Sequence, residues 1–288
     1  MDVPTGIIQK KHSAISLLRE HRAVLVALSG GVDSAVLLAI ACEALGAENV
    51  LAVTGRSASV TEQEVEDAEQ VARTLGARHE VVDTREIDRP AYRANSGDRC
   101  FHCRLELFEV LSTLAVPRGF GAIAYGAIVD DLGDDRPGMA AARDLGILAP
   151  LLDANIYKSD VRILANEFNL HIHDKPANAC LASRIPIGSE VTPDRLAQVG
   201  HAEAALRRLG FRRFRVRHHG EIARIELGVG EADHLRDAGT RAAVIQSLKE
   251  SGFRFVALDL EEYRVSRLDP DGAATRFYSI DPHSDRGQ

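Results

Sequence analysis

The feature that most constrains the fold is an apolar run, Val24 to Leu28, followed directly by the sequence Ser-Gly-Gly-Val-Asp-Ser. A continuous apolar run is typical of a strand that is buried on both faces, as in a parallel sheet covered by helices. A helical pattern then extends from residue 34 to 45 and stops at Gly46. The loop between strand and helix brings backbone N–H groups and the positive end of a helix together. This order predicts an α/β fold with a phosphate-binding loop.

The loop itself carries the groups that a phosphate site needs. Ser29, Gly30, Gly31 and Ser34 offer backbone N–H groups and hydroxyl donors, and Asp33 can hold Mg²⁺ between phosphate oxygens. The spacing fits neither a Walker A loop nor a dinucleotide fingerprint. It resembles the loop of the PP-loop ATP pyrophosphatases, which cleave ATP to AMP and pyrophosphate. An ordinary glycine-rich turn is the plainer alternative.

The alternation of strand and helix patterns continues through the first two thirds of the chain. It predicts a Rossmann-like parallel sheet covered on both faces. The expected strands after the first cover residues 50–54, 79–82 and 122–125, and the expected helices cover residues 13–22, 61–75, 105–114 and 158–168. Thr61 with Glu64 three residues later predicts a capping box at the start of one of these helices.

The pattern changes near residue 185 to that of a smaller α+β domain. Thr192 and Pro193 open a helix to about residue 209. Two alternating runs, 214–217 and 223–227, predict a hairpin joined by residues 218–221. A helix at 242–252 and a strand at 255–258 follow. We therefore expect a PP-loop domain at 1–185, an α+β substrate or oligomerisation domain at 186–268 and a loose tail at 269–288.

Composition excludes several classes of protein. Hydrophobic residues make up 45% of the 288 residues, which suffices for a real core. With 35 Lys and Arg against 42 Asp and Glu, the net charge is −7, which disfavours a nucleic-acid partner. No apolar run approaches the roughly 20 residues of a membrane span. The N-terminal residues lack the pattern of a signal peptide, so we expect a reducing, cytoplasmic location.

The four cysteines are too sparse for a disulfide scaffold. Cys42 falls inside an apolar helix pattern and is expected to be buried. Cys100 and Cys103 have C-x-x-C spacing, and Cys180 follows later. These three fit a zinc site completed by a histidine (His102, His171 or His173), a redox pair, three unrelated thiols, or a [4Fe–4S] cluster with one open iron. Spacing alone leaves zinc and the cluster equally probable.

Several separate segments resemble the LarE-type sulfur transferases, which make the thiocarboxylates of the nickel-pincer nucleotide cofactor of lactate racemase. The similarity extends to about residue 265. It rests on residues 29–34, 57–62, 99–103, 130–138 with 141–143, 150–152, 175–186, 214–217 and 223–226. Together these segments are much more specific than the loop alone. We assign Arg56, which precedes one of them, to the ATP site.

The resemblance implies that ATP adenylates a carboxylate of pyridinium-3,5-dicarboxylate mononucleotide, and that sulfur then displaces AMP. In some family members a cysteine at the position of Cys180 gives up its own sulfur. In others three cysteines hold a [4Fe–4S] cluster whose open iron carries an extra sulfide. Because Cys100, Cys103 and Cys180 are all present, we favour the cluster. Cys180 and Asp33 are then the expected catalytic residues, with ATP and Mg²⁺ as cofactors.

The resemblance also assigns residues to substrate binding. Arg215, Arg217 and Glu226 lie on segments that match the substrate-phosphate region, where two arginines on one strand face can grip a phosphate. A solvated charged face is the alternative. Arg184 and Glu203 are weaker candidates for the same active site.

Two positions depart from the family pattern. Arg104 replaces a common lysine, and it can stabilise charge but cannot act as a base. Ile128 replaces an asparagine and so removes an amide. Asp130 and Asp131, just after it, stay candidates for positioning Mg²⁺ or substrate, although solvated loop carboxylates are nearly as plausible.

Three other functions remain open from the sequence. Thiolation of tRNA also combines a PP-loop with cysteines, but it needs a basic surface. An amidating synthetase would have no use for the C-x-x-C pair. A nucleotide-binding regulator with structural zinc would show zinc and no AMP formation. The resemblance implies a homo-oligomer that acts on a small nucleotide, and it leaves the source of sulfide open.

Overall fold

The computed structural model describes residues 3–133, 137–175 and 179–263. Its strands are β1 Val24–Ala27, β2 Val50–Arg56, β3 Arg78–Asp83, β4 Ala122–Tyr125, β5 Phe214–His219, β6 Ile222–Leu227 and β7 Phe255–Leu258. Its α-helices are α1 Thr5–Arg19, α2 Val32–Leu45, α3 Glu62–Thr74, α4 Pro90–Ala94, α5 Arg99–Ala115, α6 Pro137–Asp144, α7 Pro150–Asp153, α8 Lys158–Glu167, α9 Pro193–Arg208 and α10 Ala238–Glu250. Short 3₁₀ turns connect several of them.

The first four strands form the predicted parallel sheet, in the order β3-β2-β1-β4. Side chains of β1 alternate between two cores, because successive residues of a strand point to opposite faces. Val24 and Val26 pack with α1, α2, α3 and α8, whereas Leu25 and Ala27 pack with α5 and α6. The chain leaves β1 toward β2 on one side and returns to β4 on the other. The carboxyl end of β1 therefore lies at the point where strand order reverses, where open α/β sheets bind ligands.

A second, three-stranded sheet lies in the C-terminal part. β5 and β6 form an antiparallel hairpin, and β7 pairs parallel to β6. Helices α9 and α10 pack on this sheet around a core that includes Leu206, Val216, Ile225 and Leu248. This confirms the α/β fold with a smaller mixed second unit. Nowhere in the described ranges is there a helix both long and apolar enough to cross a bilayer.

Leu181, Ala182 and Ile185 also belong to the second core, together with Tyr92. The segment just before residue 186 therefore packs with both parts of the chain. The predicted domain boundary there stays a prediction, and the predicted tail at 269–288 lies outside the described residues.

Several predicted bounds were wrong. The first helix begins at Thr5 rather than at residue 13, and α5 begins at Arg99 rather than at residue 105. The earlier start places Cys100 in the first turn of α5. The hairpin connection is only two residues long, because β5 continues through His219. Thr61 and Glu64 do form the predicted capping box.

Candidate functional site

The phosphate loop follows β1 and is held in one conformation by its own side chains. The buried hydroxyl of Ser34 donates to the Gly31 carbonyl at 3.0 Å and accepts from the Ser29 amide at 3.1 Å. Gly30 has a φ of +70°, and a Cβ there would lie 2.2 Å from the carbonyl oxygen of Glu64. Only glycine fits this position, since an L side chain is strained at that φ and has no room. The first turn of α2 is thus presented at the carboxyl edge of the sheet.

Asp33, in the first turn of α2, forms an ion pair with Lys158. The lysine Nζ lies 2.8 Å from both carboxylate oxygens. Burial raises the pKa of Asp33, and the charge and hydrogen bonds of Lys158 oppose that rise. Lys158 is held in turn, because its backbone N–H donates to Asp130 at 2.8 Å. The pair therefore places one carboxylate and one ammonium group beside the phosphate loop.

Lys158 was missed in the sequence as a site residue. A lysine at the first position of a helix lies at the positive end of the helix dipole, which is unfavourable without an acidic partner. That placement was the signal in the sequence that could have identified Lys158.

Lys175 was also missed as a site residue. Its Nζ donates to the Gly30 carbonyl at 2.9 Å and pairs with Asp67 of α3, so it ties the loop to the segment that leads toward Cys180.

The turn after β4 borders the same crevice. A Cβ on Gly126 would lie 2.7 Å from the Ser34 amide nitrogen, so this backbone approaches the start of α2 closely. Ile128 is buried in the core, and its N–H donates to Asp131 at 3.1 Å. Asp131 therefore supports loop backbone, as Asp130 supports α8.

Arg56 ends β2, next to β1. Its side chain is exposed and forms an ion pair with Asp83 at 2.9 Å between Nε and Oδ1. Its role in ATP binding stays a prediction.

The three predicted sulfur-site cysteines are free thiols. Cys100 and Cys103 lie one turn apart on α5, and Cys180 packs against the same core as Cys103. Cys103 and Cys180 both pack against the second core, and Cys100 is exposed beside them. Burial raises the pKa of the Cys103 thiol, and Glu86, Cys180 and Cys100 raise it further. Burial also raises the pKa of Cys180, whereas the positive charge of Arg99 lowers it.

The donor set suits a cluster held by three thiolates, because three free cysteines share this neighbourhood. However, no set of three or more His, Cys, Asp or Glu side chains in the described ranges has the spacing of a metal site. The thiols would have to approach one another to hold iron.

A short 3₁₀ turn after Cys180 is anchored to the second unit by Arg184. This arginine is 2% exposed and Glu203 is 1% exposed, and their ion pair has N–O distances of 2.8 and 3.1 Å. Arg184 also donates to the carbonyls of Ala179 and Cys180. Glu203 accepts from the Val216 amide at 3.1 Å. Both residues thus hold the Cys180 turn against α9 and β5 from within the core.

The arginines of β5 differ in their contacts. Arg217 donates to Glu226 at 2.9 Å and to the Ser183 carbonyl at 2.8 Å, so it links the hairpin to the Cys180 turn. Within the described part of the chain, Arg215 has no hydrogen bond or ion pair and lies against the ring of Tyr263, with its guanidinium carbon 4.2 Å from the ring centroid. Among the described residues, Arg215 is therefore the predicted β5 arginine whose donors are not engaged by a carboxylate or carbonyl. Its role in phosphate binding stays a prediction. Glu226 orients Arg217 and Arg224.

Arg104 lies on α5 with its guanidinium carbon 5.4 Å from the centre of the Tyr125 ring. Its Nη1 atom is buried and has no hydrogen-bond partner among the residues that the structure describes. A Cβ on Gly138 would collide with this side chain. Arg104 thus brings to the end of β4 a donor that no described residue engages.

The parallel sheet, the glycine loop at the strand-order reversal and the acidic residue at the start of α2 define an ATP-dependent enzyme of the PP-loop ATP pyrophosphatase class. A family model described as NAD synthase matches residues 7–104. The pyridinium-3,5-bisthiocarboxylic acid mononucleotide synthase of Lactiplantibacillus plantarum is 36% identical over 259 residues, which are 90% of this chain and 93% of the relative.

Two uncharacterized proteins are also similar. One from Synechocystis is 40% identical over 244 residues, which are 85% of this chain and 91% of the relative. One from Methanocaldococcus jannaschii is 27% identical over 245 residues, which are 85% and 92% of the two chains. The chain belongs to the LarE family of pyridinium-3,5-bisthiocarboxylic acid mononucleotide synthases, which confirms the resemblance found in the sequence.

Proposed function

We propose that this enzyme transfers sulfur to the carboxylates of pyridinium-3,5-dicarboxylate mononucleotide at the expense of ATP. The observation that carries the proposal is the combination, in one LarE-family chain, of a PP-loop bearing Asp33 with three free cysteines that converge on one neighbourhood. The name of the Lactiplantibacillus relative supports the choice of substrate.

In the first step a substrate carboxylate oxygen attacks the α-phosphorus of ATP, the bond to the β-phosphate oxygen breaks, and pyrophosphate leaves. The loop amides and the start of α2 bind the phosphates. Asp33 would hold Mg²⁺, which would neutralise phosphate charge, and Lys158, now paired with Asp33, would contribute a positive charge to the leaving pyrophosphate. Arg215, whose donors have no partner among the described residues, binds the substrate phosphate. The product is an acyl adenylate.

In the second step a sulfur nucleophile attacks the acyl carbon and AMP leaves, which gives the thiocarboxylate. We propose that Cys100, Cys103 and Cys180 hold a [4Fe–4S] cluster, which when bound supplies an exchangeable sulfide at its open iron. The other route uses the Cys180 thiolate itself. A thioester forms, the Cα proton is removed, and cleavage of the Cβ–Sγ bond leaves dehydroalanine on the protein and sulfur on the product.

The function is tested by AMP release in the presence of ATP, Mg²⁺ and either the mononucleotide or tRNA. The proposal expects AMP only with the mononucleotide, and Asp33→Asn should lower its rate by about 100-fold or more, the scale for losing one transition-state contact. Release driven by tRNA instead would show that the chain is a tRNA-modifying enzyme.

The sulfur source is tested by iron and acid-labile sulfide in protein purified without oxygen. About four of each per chain would support the cluster. Absence of iron after reconstitution, with loss of one sulfur atom of protein mass per turnover, would establish sacrifice of Cys180.

A further inference from the structure

Arg99 connects the two cysteine-bearing segments. It is the first residue of α5, directly before Cys100. Its Nη1 donates to the Ala182 carbonyl at 2.8 Å, two residues after Cys180, and to the Asn95 side-chain oxygen, also at 2.8 Å. One guanidinium therefore joins the start of α5 to the turn that follows Cys180.

Asn95 fixes the other side of this connection. It is 1% exposed and has a φ of +54°, in the left-handed region. Its amide donates to the Pro186 carbonyl at 2.8 Å and to the Ser189 carbonyl at 3.0 Å. Because asparagine tolerates this φ and offers both a donor and an acceptor, it can end α4, bind the 186–189 segment and orient Arg99 at once.

The Cys180 turn has a further contact on the side of the parallel sheet. The Leu181 amide donates to the Ser59 carbonyl at 3.0 Å, and the Ser59 hydroxyl donates to Glu86 at 2.8 Å. That contact fixes the turn relative to the end of β2. The Arg99 contact is a direct hydrogen bond between this turn and α5, the helix that carries Cys100 and Cys103.

We propose that Arg99 and Asn95 are positioning residues that set the distance between the C-x-x-C pair on α5 and Cys180. A planar guanidinium that bonds two acceptors fixes direction as well as distance, which a single-point lysine does not. The importance of this spacing for sulfur transfer rests on the proposed function. A misplacement of about 1 Å at reacting groups lowers rates by about 100-fold.

The test measures thiol spacing without substrate, ATP or metal. The reduced full-length chain is treated with dibromobimane, which bridges neighbouring thiols, and the Cys100–Cys180 bridge is counted by peptide mass spectrometry over time. Because the charge of Arg99 also lowers the pKa of Cys180, the bridging rate is divided by the rate at which monobromobimane labels Cys180. We expect bridging in the unsubstituted protein, a ratio about tenfold lower in Arg99→Gln from the loss of a charged hydrogen bond, and partial recovery in Arg99→Lys.

Asn95→Gly provides a second variant, because glycine adopts the same φ but lacks the amide. It should lower bridging as well. Arg19→Gln is the matched control, since Arg19 also donates to a backbone carbonyl, that of Ala44 on α2, a helix that carries neither Cys100 nor Cys180. It should bridge at the original rate.

Bridging of Arg99→Gln or Asn95→Gly at the original rate would overturn the proposal, and so would its absence in the unsubstituted protein. Slower bridging in both variants would support it even if the enzyme transferred no sulfur. Failure of the positioning role and failure of the proposed function are therefore separate results.

Discussion

Replacing Glu203 by glutamine should destabilise the protein by about 3 kcal/mol. Arg184 and Glu203 are 2% and 1% exposed, so the substitution leaves a buried guanidinium without its counter-charge. Breaking a buried pair in this way costs about 3–5 kcal/mol. The lower end applies because Arg184 keeps the Ala179 and Cys180 carbonyls as acceptors. In the native protein burial lowers the pKa of Arg184 and Glu203 raises it. After the substitution the guanidinium still stays charged, because arginine is not deprotonated in proteins.

Urea unfolding measures this change, with Glu221→Gln as the control. Glu221 pairs with Arg254 on the surface, where the two side chains are 65% and 69% exposed, so its loss should change the free energy of unfolding by at most about 1 kcal/mol. A loss below about 1 kcal/mol for Glu203→Gln would refute the argument that this pair anchors the Cys180 turn. Glu203→Leu combined with Arg184→Met should recover much of the loss, because apolar packing can replace a buried pair.

Three other outcomes follow from the structure. Gly30→Ala should abolish ATP-dependent AMP release, because the new Cβ would lie 2.2 Å from a backbone oxygen of α3. The control is Gly76→Ala, at a φ of +66° with open space around it. It should lower the free energy of unfolding by only about 1–2 kcal/mol and leave the rate of AMP release unchanged. Burial lowers the pKa of His79, so on acidification the unfolded state binds a proton before the folded state does. The free energy of unfolding therefore decreases as the pH drops through about 6.5. His79→Gln should make this decrease smaller, as measured by urea unfolding at pH 7 and at pH 5. Cys180→Ser should release AMP without forming thiocarboxylate by mass spectrometry, whereas Cys42→Ala should retain both products.

The parts of the fold that follow from local pattern could be predicted from the sequence. The apolar run of β1, the glycine loop and the capping box at Thr61 each depend on neighbouring residues, and the structure has all three. The parallel sheet followed from the repeated alternation. The start of α5 was misplaced because no aliphatic side chain occurs between Arg99 and Arg104, so the helical spacing of aliphatic residues begins only at Leu105.

The contacts that build the site could not be predicted in the same way. Asp33 and Lys158 are 125 residues apart, and Arg99 and Ala182 are 83 apart. A single sequence gives no information on which distant residues meet. The structure also shows that the two arginines of β5 have different contacts. Arg217 donates to Glu226, whereas Arg215 has no carboxylate partner among the described residues. The resemblance assigned them the same role, and alternation on a strand placed both on one face.

The most direct test of the account is the ratio of thiocarboxylate to AMP formed from the mononucleotide, ATP and Mg²⁺. Both products are counted in one reaction, by mass spectrometry and nucleotide chromatography, with protein purified without oxygen and supplied with sulfide. The account predicts one thiocarboxylate group for each AMP and continued formation beyond one group per chain. AMP release with no thiocarboxylate would contradict sulfur transfer as the function of this enzyme.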